Sequence, residues 1–243
     1  MDGGAPKQAT AENHGLTRLR RSRYPLTVTR LLKRLIDVAA SLLGLLLLSP
    51  ILAVVAIAVR VRLGSPVLFV QERPGLHERP FRMIKFRTMR EPRADEPREL
   101  SDGRRLTPFG ALLRRLSIDE VPELWNVLRG DMSLVGPRPL LMHYLPWFTE
   151  RERLRFTVRP GITGLAQVSG RNYAPWDERL AADVRYVEDW SLRLDLDILR
   201  RTIASISGSQ AVVVDARALM LNFDEERRAR RDAAAGDGAG AGR

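Results

Sequence analysis

The 243-residue chain contains no cysteine, which excludes disulfides and thiolate metal sites and suits a reducing compartment. Histidine is nearly as scarce. His14, His77 and His143 are scattered along the chain and argue against an all-histidine metal centre. Any metal would then be held by carboxylates and phosphate oxygens, the ligands that magnesium-like ions prefer. Aromatic residues make up only 6% of the chain, and no nucleic-acid-binding motif is recognisable, so the positive charge lacks the stacking side chains of a nucleic-acid surface. No internal repeat is present. No small-residue cleavage site follows the one long apolar run, so a removable signal peptide is not expected.

What the chain has is charge and one greasy segment. The formal net charge is +11, which calls for an anionic partner. Residues 1–37 hold eight Lys/Arg against three Asp/Glu, with Arg18, Arg20, Arg21 and Arg23 just before the apolar run. Beside a membrane segment, anionic lipid headgroups satisfy such a cluster at about 1 kcal/mol per basic residue.

The run itself is Val38 to Val59, 22 uncharged residues interrupted by Ser49-Pro50. That length suffices for one straight crossing of a ~30 Å hydrocarbon layer. Basic residues flank both ends, Arg30, Lys33 and Arg34 before and Arg60 and Arg62 after, whereas a simple crossing keeps only one basic flank on the cytoplasmic side. Pro50 removes a backbone donor and crowds the carbonyl four residues earlier. A re-entrant helix with arms Leu35 to Leu48 and Ile51 to Val61, and a kinked single-pass anchor, both fit these residues.

Around this segment the sequence predicts a basic N-terminal stretch without fixed structure (1–30), a membrane helix-break-helix (31–62), a catalytic domain (63–206) and an extension (207–243). The extension is expected to lack structure from about residue 224, where charge gives way to alanine and glycine. The fold class is α/β, mainly helical with a small β-hairpin. Strands are expected at Pro66 to Gln71 and Phe81 to Phe86, turning at Pro74-Gly75, and a surface loop at Glu91 to Glu99. Helices are expected at Thr107 to Leu116, Glu120 to Leu128, Thr149 to Phe156 and Asp177 to Trp190. Leu192 to Ile203 suits either a strand or a helix.

Candidate chemistry begins at Ser117-Ile118-Asp119-Glu120. Ser117 and Glu120 have the spacing of a capping box, and adjacent acids also complement a helix N-terminus. Dense cations nearby, Arg114, Arg115, Arg129, Arg138 and Lys85, favour a second reading: a carboxylate held ionised with a lowered pKa, able to attack phosphorus or bind a divalent ion. The loops Gly130 to Pro139, Arg159 to Gly164 and Ser169 to Asn172 add arginines and backbone donors suited to a diphosphate.

Taken in order, Lys33-Arg34-Leu35-Ile36-Asp37, Ser49-Pro50, Gln71 to Gly75, Lys85 to Met89, Asp119 to Leu124, Gly130 to Pro139 and Arg159 to Asn172 resemble the bacterial sugar transferases known as monotopic polyprenyl-phosphate phosphoglycosyl transferases, over roughly Leu31 to Ile206. The resemblance implies a membrane helix broken at Ser49 and Pro50 that returns to the cytoplasmic face of the bacterial inner membrane. A compact catalytic domain with interfacial amphipathic helices would follow it. It implies Asp119 as nucleophile towards a nucleoside diphosphate sugar, Glu120 as its acidic partner, polyprenyl phosphate as acceptor and Mg2+ bridging Asp119 and the diphosphate. Lys85, Arg87, Arg114, Arg138 and Arg171 match substrate-binding positions, with Arg138 on the nucleotide side. No nucleic-acid partner is implied, and self-association is left open. The rival readings are a membrane-tethered nucleic-acid binder and a non-catalytic adaptor.

Overall fold

The structure is a computed structural model that describes residues 26–91, 105–170, 175–207 and 222–240. A single helix α1, Leu26–Leu63, runs without interruption through Ser49-Pro50. The two arms read from the sequence therefore belong to one hydrogen-bonded helix, which also begins five residues before the expected boundary. Its continuity has a local cause. Pro50 lacks the N–H that would bond the Leu46 carbonyl, and the Ser49 hydroxyl donates to that same carbonyl at 2.8 Å.

At 1.5 Å per residue, α1 is about 57 Å long if straight, nearly twice the thickness of a ~30 Å hydrocarbon layer. One stripe along it packs on the rest of the protein: Asp37, Ser41, Val55 and Val59 are buried, with Gly44, Leu52 and Leu63 partly so. The opposite stripe, Leu43, Leu46, Leu47, Ile51, Val54, Ile57 and Val61, is apolar and exposed. A helix amphipathic against protein yet greasy outward marks an element that meets lipid on its free side.

Strands β1 (Leu68–Pro74) and β2 (Pro80–Phe86) form the expected antiparallel hairpin, with Leu68 opposite Phe86 and Pro74 opposite Pro80. Beyond β2, Thr107 caps helix α2 (Pro108–Arg115) by accepting from the Gly110 amide, and a Cβ at Gly110 would fall 1.8 Å from the Thr88 carbonyl oxygen. Only glycine permits that backbone contact. A 3-10 turn (Ile118–Glu120) and helix α3 (Glu123–Arg129) replace the continuous helix expected at Glu120 to Leu128. Asn126, fully buried on α3, accepts from the Ile84 amide and donates to the Arg82 carbonyl, closing the outer edge of β2.

A second sheet escaped the sequence reading. Strand β3 (Ser133–Val135) pairs in parallel with β4 (Gly161–Thr163). The approach is so close that a Cβ on Gly161 would lie 2.1 Å from the Gly136 nitrogen. Three-residue strands carry no alternation to detect. Thr149 to Phe156 forms a shorter 3-10 turn, Glu152–Thr157, and helix α4 (Leu165–Gly170) follows β4.

Helix α5 (Trp176–Glu188) lies where expected, but its apolar residues Leu180, Val184 and Tyr186 are buried in the domain. That face is therefore not free for an interface. Exposed apolar side chains sit elsewhere, at Leu68, Phe69 and Val70 of β1, Leu112 and Leu116 around α2, and Trp125 of α3. The ambiguous segment is helix α6, Leu192–Ser207.

The tail expected to lack structure from about 224 is instead helix α7, Phe223–Gly240. Phe223 is fully buried among Tyr144, Phe148 and Trp176 at ring distances of 5.0 to 5.4 Å, and Arg227 pairs with Glu152 and Asp177. Composition argued against a core here because alanine and glycine dominate. One aromatic at the helix start and arginines facing acids on other elements provide the docking.

Candidate active site

The site forms where the ends of β2, α2 and α3 meet the loop after β3. Asp119 and Glu120 lie on the 3-10 turn between α2 and α3. Ser117 precedes them in the left-handed region (φ 54°) and makes no capping bond, so the capping-box reading of these acids is set aside. The turn instead presents both carboxylates to a common cluster of cations.

Glu120 Oε1 accepts from Lys85 Nζ at 2.8 Å and from Arg138 Nη2 at 2.5 Å. Lys85 also stands 2.9 Å from Oε1 of Glu123, an acid the sequence reading did not single out. Its signal was the i, i+3 spacing from Glu120. Burial alone would push the Glu120 carboxyl up, but the charge and hydrogen bonds of Arg138 and Lys85 overcome it and hold the group down at about 2. Glu123, deeper and beside Glu120, is pushed up by burial to about 6 despite Lys85.

Asp119 differs from both neighbours. It is buried, and among the described residues no side chain pairs with it or donates to it. Burial first, then the Glu120 charge, raises its pKa above the ordinary value, with Lys85, Arg114 and Arg138 opposing. The sequence reading of a lowered carboxyl thus describes Glu120 and not Asp119. At Asp119 desolvation wins, because among the described residues no cation touches the group directly. Such a carboxylate is poorly solvated and unpaired, which favours nucleophilic attack and leaves its oxygens open to an incoming ligand.

Of the predicted substrate-binding residues, Lys85 and Arg138 stand at the acids. Arg114 is anchored nearby, its Nε donating to the Thr88 hydroxyl at 3.0 Å. Arg87 is elsewhere: it is buried and donates to the Leu63 and Ser65 carbonyls, closing the C-terminal end of α1. Arg171 lies outside the described residues. Ser49 and Pro50 lie on the exposed side of α1, distant in sequence from all of these.

Around Arg138 the structure adds residues that sequence reasoning missed. Arg73 donates to Gln71 and Pro139, and burial together with the Arg138 charge lowers its pKa to about 10. Arg155 pairs with Asp183 at 2.9 Å and donates to the Arg138 carbonyl at 2.6 Å. Arg179 lies 4.1 Å over the Trp176 ring. Among the described residues no group of three His, Asp or Glu side chains makes a protein metal site. A magnesium ion needs only one or two carboxylates when a diphosphate supplies the remaining oxygens, and unpaired Asp119 fits that role.

The N-terminal end of α1 is tied into the same body. Lys33 binds Asp195 at 2.6 Å and the Val135 carbonyl at 3.1 Å, Arg34 donates to the last carbonyls of α3, and Asp37 accepts from the Leu134 amide. Tyr186 donates to Asp195 at 2.8 Å, completing a buried network under β3.

The model of the bacterial sugar transferase family matches residues 28–209, from α1 to just beyond α6. The chain belongs to the bacterial sugar transferase family. Among sugar transferases of this family, it is 50% identical over 182 residues to the Bacillus subtilis protein named uncharacterized sugar transferase EpsL, covering 75% of this chain and 90% of that one. It is 42% identical over 192 residues to the UDP-glucose:undecaprenyl-phosphate glucose-1-phosphate transferase of Caulobacter vibrioides, covering 75% and 72%. With the exopolysaccharide production protein ExoY of Sinorhizobium fredii it shares 38% over 191 residues, covering 72% and 84%. Helix α7 lies beyond the matched residues of this sugar transferase.

Proposed function

We propose that the protein is a phosphoglycosyl transferase that moves a sugar phosphate from a UDP-sugar to undecaprenyl phosphate through a covalent intermediate on Asp119. The observation that carries this reading is one unpaired, buried carboxylate beside two that are engaged by Lys85. A carboxylate oxygen of Asp119 attacks the phosphorus that bears the sugar, and the bond to the nucleotide phosphate breaks, releasing nucleoside monophosphate. A phosphate oxygen of the lipid then attacks the same phosphorus and returns Asp119 as a free carboxylate. Arg138 and Lys85 neutralise charge that builds on the phosphates, while Glu120 holds both cations in place. Magnesium bound between Asp119 and the diphosphate would lend Lewis-acid charge to the same step.

The lipid acceptor requires the site to sit at the headgroups, and α1 supports that placement. Both ends of α1 contact one catalytic domain, Lys33 and Arg34 at one end and Val59 and Leu63 at the other, so neither end is free to lie across a bilayer from it. The free apolar stripe between them favours a shallow, re-entrant seat in the inner leaflet, with the domain on the cytoplasmic side. Names of relatives that include undecaprenyl phosphate and exopolysaccharide production support initiation of a surface glycan. The test is to incubate detergent-solubilised protein with magnesium, undecaprenyl phosphate and a panel of UDP-sugars. Release of UMP that stops in Asp119→Asn and on chelation agrees with the proposal; release of UDP overturns it.

A further inference from the structure

A cavity adjoins Arg138, lined also by Arg155, Gln167, Trp176, Arg179 and Asp183. Three guanidinium groups, of Arg138, Arg155 and Arg179, line it, and among the described residues only Glu120 and Asp183 form ion pairs with any of them. Arg155 is nine-tenths or more buried, yet its Nε and Nη1 lack hydrogen-bond partners among the described residues. The Arg179 guanidinium likewise pairs with no described carboxylate. Burial and the neighbouring Arg138 charge both lower its pKa, so this arrangement of like charges is costly until an anion enters.

What holds Arg179 in this unfavourable place is Trp176, whose ring it covers at 4.1 Å. Trp176 in turn packs on Phe223 at 5.3 Å, and Phe223 belongs to α7, outside the residues matched by the family. Arg227 and Arg230 tie the same helix to Asp177, the residue after Trp176. The C-terminal helix therefore fixes the first turn of α5, from which Arg179 projects towards Arg138.

We propose that Arg179 binds a phosphate group of the nucleotide donor or of the lipid acceptor, and that α7 sets its position through Phe223 and Trp176. This rests on the phosphoglycosyl transfer proposed above. A guanidinium already facing the cavity offers a phosphate two parallel donors, which a lysine cannot. Phe223 acts at one remove and is a positioning residue.

The experiment is titration calorimetry of the full-length protein in detergent with UMP, with a short-chain prenyl phosphate and with inorganic phosphate. Arg179→Ala is expected to weaken UMP or the prenyl phosphate at least tenfold, and the ligand affected identifies which substrate uses the pocket. Arg179→Lys should recover only part of the loss. Phe223→Ala should weaken the same ligand, and the double variant should bind no worse than Arg179→Ala alone, because both act through one contact. Phe223→Leu should retain wild-type affinity and serves if the alanine variant fails to fold. Asp119→Asn should bind all three ligands while forming no covalent adduct, which separates failure of this pocket from failure of the proposed reaction. Unchanged affinity of Arg179→Ala for both monoesters overturns the binding role. Full additivity of the two single losses overturns the role of α7.

Discussion

Glu120 Oε1 lies 2.8 Å from Lys85 Nζ and 2.5 Å from Arg138 Nη2, so one half-buried carboxylate anchors a cation from β2 and another from the loop after β3. Asp119, its neighbour in sequence, receives neither bond. This division makes Glu120 the electrostatic anchor and leaves Asp119 open for the nucleophilic role proposed above.

Removing the Glu120 charge should therefore ease ionisation of Asp119. Glu120 raises the Asp119 pKa, and the cations it holds act in the opposite direction once released. In Glu120→Gln, the acid limb of the rate of nucleoside monophosphate release should move to lower pH, even though the plateau rate falls. Single-turnover rates between pH 4 and 8 provide the measurement. A limb that stays in place or moves up would show that Glu120 does not set the ionisation of Asp119.

Lys85 serves two acids, buried Glu123 and half-buried Glu120, so replacing it with methionine leaves both without their shared cation. The expected loss of stability is about 3 kcal/mol at neutral pH, the scale for an abandoned buried charge. Its pH dependence has a definite sign. The Glu123 carboxyl, already raised to about 6, protonates as pH falls and then needs no cation. The difference between Lys85→Met and wild type should shrink below about pH 6, as measured by denaturant unfolding in detergent. A difference that grows on acidification would contradict the pairing.

Topology can be tested directly because the chain has no cysteine. Single cysteines placed at Arg30 and at Arg60, one near each end of α1, should both react with a membrane-impermeant maleimide only when the cytoplasmic side is opened. Labelling of one site from the periplasmic side would mean that α1 crosses the membrane.

Much of the candidate site could be read from the sequence, because Asp119, Glu120, Lys85 and Arg138 lie in short motifs whose residue types are themselves the chemistry. The hairpin and α2 are legible for a different reason: Pro74-Gly75 is a strong turn signal, and the apolar spacing of Thr107 to Leu116 is helical. What escaped detection depends on tertiary contact. Glu123 becomes part of the site only through Lys85, Arg179 only through Trp176, and β3 with β4 only through a backbone approach between two glycines. The C-terminal helix is hidden from composition because its docking relies on one aromatic, Phe223, and on Arg227 and Arg230 facing acids of other elements. The bonds by which Arg87 closes the end of α1 are likewise invisible in one dimension.

The most direct measurement is the intact mass of the protein after exposure to magnesium and a UDP-sugar with the lipid acceptor withheld. The account predicts an added mass of one phosphosugar, located on Asp119 by peptide mapping, absent from Asp119→Asn and removed when undecaprenyl phosphate is supplied. Turnover of donor to lipid-linked product without any such adduct on rapid quenching would contradict it.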